Sequence, residues 1–267
     1  MLQIIIYLIL VMMIIRMFIM NKRTKKSRKL IEVVNSIGDK DEFFENMKAF
    51  EESMKDDEEF LNKGRVIKLW GYAFHNEFLD FESTLDSIDV DKLMSHGKNG
   101  SISISENEDA FFYLYLGIPN ILEKDEMPLY RRKLKEKMDT YSDVLKDQLV
   151  QVLGNEVNKF YEGEDDKGLA FYEELLAGNY SEYQYSKSLI GIYKSIANAT
   201  AAYLYKQSGE KEKYEECVPM LENFAKSGIG ERWIKQLGLE VEKPVEEETF
   251  DVTNDEEEKE EDTEEWN

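Results

Sequence analysis

The chain has 267 residues, a net charge of −22 and a single cysteine. So negative a balance argues against nucleic acid as a partner, because that contact rests on neutralising phosphates with Lys and Arg, and one cysteine permits no intrachain disulfide. The charge is uneven: residues 1–29 hold seven basic and no acidic side chains, whereas residues 240–267 hold fifteen acidic side chains and two lysines.

Residues 2–20, LQIIIYLILVMMIIRMFIM, are almost entirely apolar, and about 18 to 20 such residues suffice for a helix to cross a bilayer. Lys22, Arg23, Lys25, Lys26, Arg28 and Lys29 follow this run and no cation precedes it. The positive-inside bias then predicts a single-pass protein of the cell membrane, N-terminus outside and C-terminal domain cytoplasmic. The six cations would meet anionic lipid headgroups. A cleaved signal peptide would place its positive charges before a shorter apolar region. The expected units are a transmembrane anchor at 1–20, a basic juxtamembrane segment at 21–29, a helical domain at 30–239 and an acidic tail at 240–267.

Within the helical domain, Phe43, Met47, Phe50 and Met54 step by 4, 3 and 4, and Phe60, Gly64, Ile67, Gly71, Phe74, Phe78 and Phe81 continue that rhythm. This is the spacing of amphipathic helices. Asp39 with Glu42 and Ser105 with Glu108 have the form of capping boxes, Gly117 and Pro119 signal a helix end, and Pro128 suits a helix start. Residues 95–104, SHGKNGSISI, read as a loop, with a short edge strand as the alternative, and mark a possible subdivision. Leu145, Leu149, Leu153, Val157 and Phe160 form one core stripe; Tyr185, Leu189, Ile192, Ile196, Ala199 and Tyr203 form another. Pro219 predicts a kink or a break.

Ala202, Tyr205, Gly209, Tyr214, Cys217 and Leu221 resemble the tetratricopeptide pattern of a small residue, an aromatic, a turn glycine, then an aromatic, a small residue and a large apolar residue. Two extra turn residues before Tyr214 depart from its spacing. Leu176, Gly178, Tyr180 and Tyr183 are similar to a second, poorer copy, and Trp70, Gly71 and Phe74 to a first helix. With the apolar run and its basic stop, the layout resembles membrane-anchored bacterial tetratricopeptide-repeat proteins. That resemblance implies packed helical hairpins with a groove for a protein partner.

Motifs of catalysis are missing from the sequence. There is no phosphate-binding glycine loop, and His75 and His96 are the only histidines, with no paired spacing for a metal. No cofactor and no enzymatic activity are expected. His75 falls beside the Phe74 face, His96 in the loop, and Cys217 at a packing position. Nine of the fifteen tyrosines lie between Tyr161 and Tyr214; hairpin packing accounts for them, and lining of a peptide groove is the sharper alternative. The acidic tail is expected to stay disordered, with Phe250 and Trp266 as candidate docking aromatics. The fold class is therefore all-α: a transmembrane helix, then helical hairpins as a tetratricopeptide-like solenoid or a bundle, then the tail. The function expected is a membrane-anchored scaffold or adaptor. Its rivals are an enzyme or small-ligand binder with an interhelical pocket, and a structural membrane spacer.

Overall fold

A computed structural model describes residues 23–122, 128–164 and 168–241. Helices α1 (23–35), α2 (Lys40–Ser53) and α3 (Glu58–His75) open the described chain. Asp39 caps α2 by accepting from the Glu42 backbone N–H, 3.0 Å, and Asp57 caps α3 by accepting from Phe60 N–H, so each satisfies a donor with no partner inside the helix. Phe43, Met47, Phe50 and Met54 are all buried, as their spacing predicts. The longer rhythm, however, does not belong to one helix. Asn76 adopts a left-handed conformation (φ 56°) and ends α3; Phe78 lies in the turn and Phe81 opens α4 (Phe81–Ser87).

A short 3-10 turn (Asp91–Leu93) leads into β1 (Ser95–His96) and β2 (Ile102–Ser103), which pair antiparallel with Ser95 opposite Ser103 and His96 opposite Ile102. The strand alternative thus replaces the expected loop. Gly97 N–H donates to Ser101 O, and Gly100 at φ 75° closes the turn, the Asn-Gly pattern that suits a three-residue hairpin loop.

Helices α5 (Glu108–Phe112) and α6 (Ile118–Ile121) are joined without a break by one π turn, Tyr113–Gly117. Helix continues past Gly117 and Pro119, contrary to the expected stop. The wider turn immediately precedes Pro119, which supplies no backbone donor to the helix. Nor does Ser105 cap α5: Asn107 holds the cap position, and the Glu108 carboxylate is engaged elsewhere.

Then follow α7 (Pro128–Thr140), α8 (Leu149–Tyr161), α9 (Leu169–Ala177), α10 (Ile190–Ser208), α11 (Lys211–Ala225) and α12 (Gly228–Gln236). Leu145, Leu149, Leu153, Val157 and Phe160 are buried along α8 and its approach. Helix α10 is buried on every side from Ile196 to Ala202, where its alanines let α8, α9, α11 and α12 pack around it. Its buried surface is broader than the stripe read from sequence. Pro219 sits inside α11 without ending it, and the buried Asn198 of α10 donates to Cys217 O two residues earlier. One hydrophobic cluster includes side chains from Leu30 to Leu239.

Among the described residues no helix is long and apolar enough to cross a membrane. This corrects the transmembrane part of the expected fold class and the single-pass cell-membrane localisation. The two longest helices, α3 and α10, carry Lys63, Arg65 and Lys68 or Lys194 and Lys206 and bury their apolar surface against other helices. The apolar run 2–20 and the acidic tail from residue 242 lie outside the described residues.

Candidate functional site

Helices α7 and α8 border an open groove of about 520 Å³. Its floor and α8 side come from Gln151, Asn155 and Asn158, which recur at i, i+4 and i+7 and so share one stripe. Gln151 is fully buried. Its Nε2 donates to Asn155 Oδ1 (3.2 Å) and Met138 O (3.4 Å), while Oε1 has no hydrogen-bond partner among the described residues. Asn158 Nδ2 donates to Met138 Sδ, 3.1 Å. Met138 of α7 therefore holds two of the amides in place.

Charge is arranged along the same groove. Lys135 of α7 bonds Glu162 at the end of α8; that bond raises the ammonium pKa, and the nearby charges of Asp139 and Glu164 add to the rise. Lys159 pairs with Glu156, and Lys146 stands just before α8. The 180–185 loop docks beside that end: Gln184 N–H donates to Asp147 O (2.7 Å) and Leu149 N–H to Gln184 O (3.0 Å). Burial first, then Glu182, Glu174 and the groove's own Glu156, push the Tyr183 phenol up. Tyr183 meets Phe171 edge-on, and Tyr180 meets Tyr185 the same way at 5.2 Å. An amide floor suits a polypeptide segment, since each amide offers both a donor and an acceptor to a peptide bond.

The residues picked out by sequence fall elsewhere. Arg23 pairs with Glu59 (2.8 Å) and Glu106 (2.7 Å), and Lys26 with Asp57, its ammonium also over the Phe60 ring. Those two cations are directed to the protein's own carboxylates, whereas Lys25, Arg28 and Lys29 are exposed. Lys22, Phe250 and Trp266 lie outside the described residues. Ala202, Tyr205, Cys217 and Leu221 are buried and Tyr214 half-buried in the α10–α11 pair, which turns at Gly209 with φ 75°. Tyr205 donates its hydroxyl to Glu173, 2.7 Å. Burial pushes the Cys217 thiol up, which suits packing and not nucleophilic attack.

Glu108, read from the sequence only as the capping partner of Ser105, is a buried carboxylate. It accepts from the Tyr193 hydroxyl at 2.7 Å, and burial raises its pKa against the lowering effect of that bond and one from the Ser186 backbone. It does not line the α7–α8 groove. His75 lies among Phe43, Phe44 and Phe74, and burial lowers its pKa. His96 is exposed on the hairpin. Among the described residues no group of His, Cys, Asp and Glu is placed to hold a metal ion.

The fold and groove define an all-α protein with a polar interhelical cleft. Comparison with protein-family models gave no match, and searches against curated proteins and solved structures gave none either. The amide stripe was present in the sequence as the polar side of α8. Its signal was masked because Asn and Gln on a helix surface are ordinary, and only the packing of α7 turns that side into a groove.

Proposed function

We propose that the protein is an adaptor that receives a segment of a partner protein in the α7–α8 groove. The observation that carries this reading is the Gln151, Asn155 and Asn158 stripe on the groove floor, with the tyrosine-bearing 180–185 loop docked through its backbone at the start of α8. Amides suit backbone recognition because they match both peptide N–H and C=O without demanding one side chain. Tyrosine adds contact area at low entropic cost. An enzymatic reading would want titratable groups converging on a reacting atom. Glu108, the buried carboxylate, is instead committed to Tyr193 away from the groove.

A photo-crosslinking amino acid placed at Val152, which lines the groove beside the amide stripe, should yield a defined adduct in cells when carried by the full chain. The crosslinked residue should map to one segment of one protein. The same probe at Glu212, exposed on α11, should not give that adduct. Absence of any discrete adduct at Val152, or the same adduct from both positions, contradicts the proposal.

A further inference from the structure

We infer that the acidic segment 255–266, DEEEKEEDTEEW, docks on the outer face of α1 of the same chain, with its carboxylates on Lys25, Arg28 and Lys29 and Trp266 against Ile31. This surface is separate from the α7–α8 groove.

Helix α1 divides its cations by face. Arg23 pairs with Glu59 and Glu106, and Lys26 with Asp57, while Leu30 and Val33 are buried against the body of the protein. Lys25, Arg28 and Lys29 stand at i, i+3 and i+4 and so share the opposite face. All three are exposed, and none enters an ion pair among the described residues. Acidic side chains outnumber basic ones 56 to 34, so cations of this chain have carboxylates in excess to choose from. No other described helix keeps three cations without an ion pair within five residues. Glu32, also exposed, is the one carboxylate in 23–35 and leaves the face positive. Ile31 is 56% exposed and lies beside Arg28 at i+3. Three cations bordering one apolar side chain fit an occupant that is acidic and carries an aromatic.

The chain contains such an occupant. Residues 255–265 hold nine acidic side chains and one lysine, and Trp266 follows. The 25 residues from Val241 to Trp266 reach at most about 80 to 90 Å, whereas a compact body the size of the described residues has a radius of gyration of about 17 Å. Helix α1 is within that reach. Tethering raises the local concentration of the segment, and two copies of net charge −22 repel each other. Both effects favour the tail of the same chain over that of a second copy. A docked tail would close α1 to other anionic surfaces until it is displaced.

A photo-crosslinking amino acid at Ile31 of the purified full chain should join to residues 255–267 of the same molecule at low salt, as mapped by mass spectrometry. The yield should fall about tenfold in the Lys25→Gln, Arg28→Gln, Lys29→Gln variant, which removes three exposed ion pairs. It should vanish at about 1 M salt, where charges are screened within about 3 Å. Trp266→Ala should lower it as well, and Phe250→Ala should not. The same probe at Glu212, exposed on α11, should give no such product. A yield unmoved by the triple variant or by Trp266→Ala overturns the inference, as does an equal product from Glu212, which would mean contact without a fixed site. A product joining two copies assigns the face to a neighbour and overturns it too. So does a probe at Ile31 that joins in cells to a lipid or another protein and never to the tail. Lys25, Arg28, Lys29 and Ile31 are all exposed, so melting curves of the variants should match that of the natural chain.

Discussion

Phe43 lies across the face of Gly71, so that a β-carbon on that glycine would stand 2.0 Å from Phe43 Cε1. Two helical turns away the relationship repeats, with a β-carbon on Gly64 falling 2.7 Å from Phe50 Cε1. Helices α2 and α3 thus meet through two ring-on-glycine contacts. Gly71→Ala should destabilise the fold by about 1 to 3 kcal/mol, the overpacking range, and Gly64→Ala by less. Gly191→Ala, in a position open to space, should be neutral or slightly stabilising by helix propensity. Urea titration of the three variants checks the order, and Phe43→Leu should relieve part of the Gly71→Ala loss.

Asn62 is fully buried and bonds both backbone groups of Asp89, donating from Nδ2 to the carbonyl and accepting from the N–H at 2.9 Å. It fixes where the chain runs after α4. Asn62→Leu would leave both backbone groups without this partner, and equilibrium unfolding should show a loss of about 1 to 3 kcal/mol.

Glu108 titrates with a pKa raised above its ordinary 4.5, chiefly by burial. The folded state therefore holds the proton to higher pH than the unfolded chain. Its contribution to stability is fully present below the ordinary carboxylate value and is lost as the pH rises through the raised one. Glu108→Gln keeps an acceptor for Tyr193 and removes the titration. Melting temperatures measured from acid to neutral pH should show the variant gaining on the natural protein across that window. A constant difference between the two would contradict the burial of an ionisable carboxyl there.

Cys217 is buried and its thiol pushed up by burial and by Glu216. A chromogenic thiol reagent should react with it slowly in the folded protein and rapidly in urea. Equal rates would mean that α11 does not cover it.

Core positions were the most legible part of the sequence because burial imposes a period. Phe43, Met47, Phe50 and Met54, and the stripe from Leu145 to Phe160, are buried as their spacing requires. Boundaries depend on single backbone conformations and were read less well. Asn76 in the left-handed region splits the long phenylalanine rhythm at His75, and the π turn before Ile118 carries helix past Gly117 and Pro119. The expectation of a membrane-crossing helix finds no counterpart among the described residues. The groove was the least legible, because Gln151 and Asn155 acquire meaning only from Met138 and Lys135 on a neighbouring helix.

The most direct measurement of the central claim uses the partner segment that the Val152 crosslink identifies, synthesised as a peptide and titrated into the full chain and into its Asn155→Ala, Asn158→Ala variant. Loss of the two amides should weaken binding about tenfold or more, equivalent to about 1.4 kcal/mol, with the melting temperature little changed. Unaltered affinity in a folded variant would contradict the assignment of the α7–α8 groove as the binding surface.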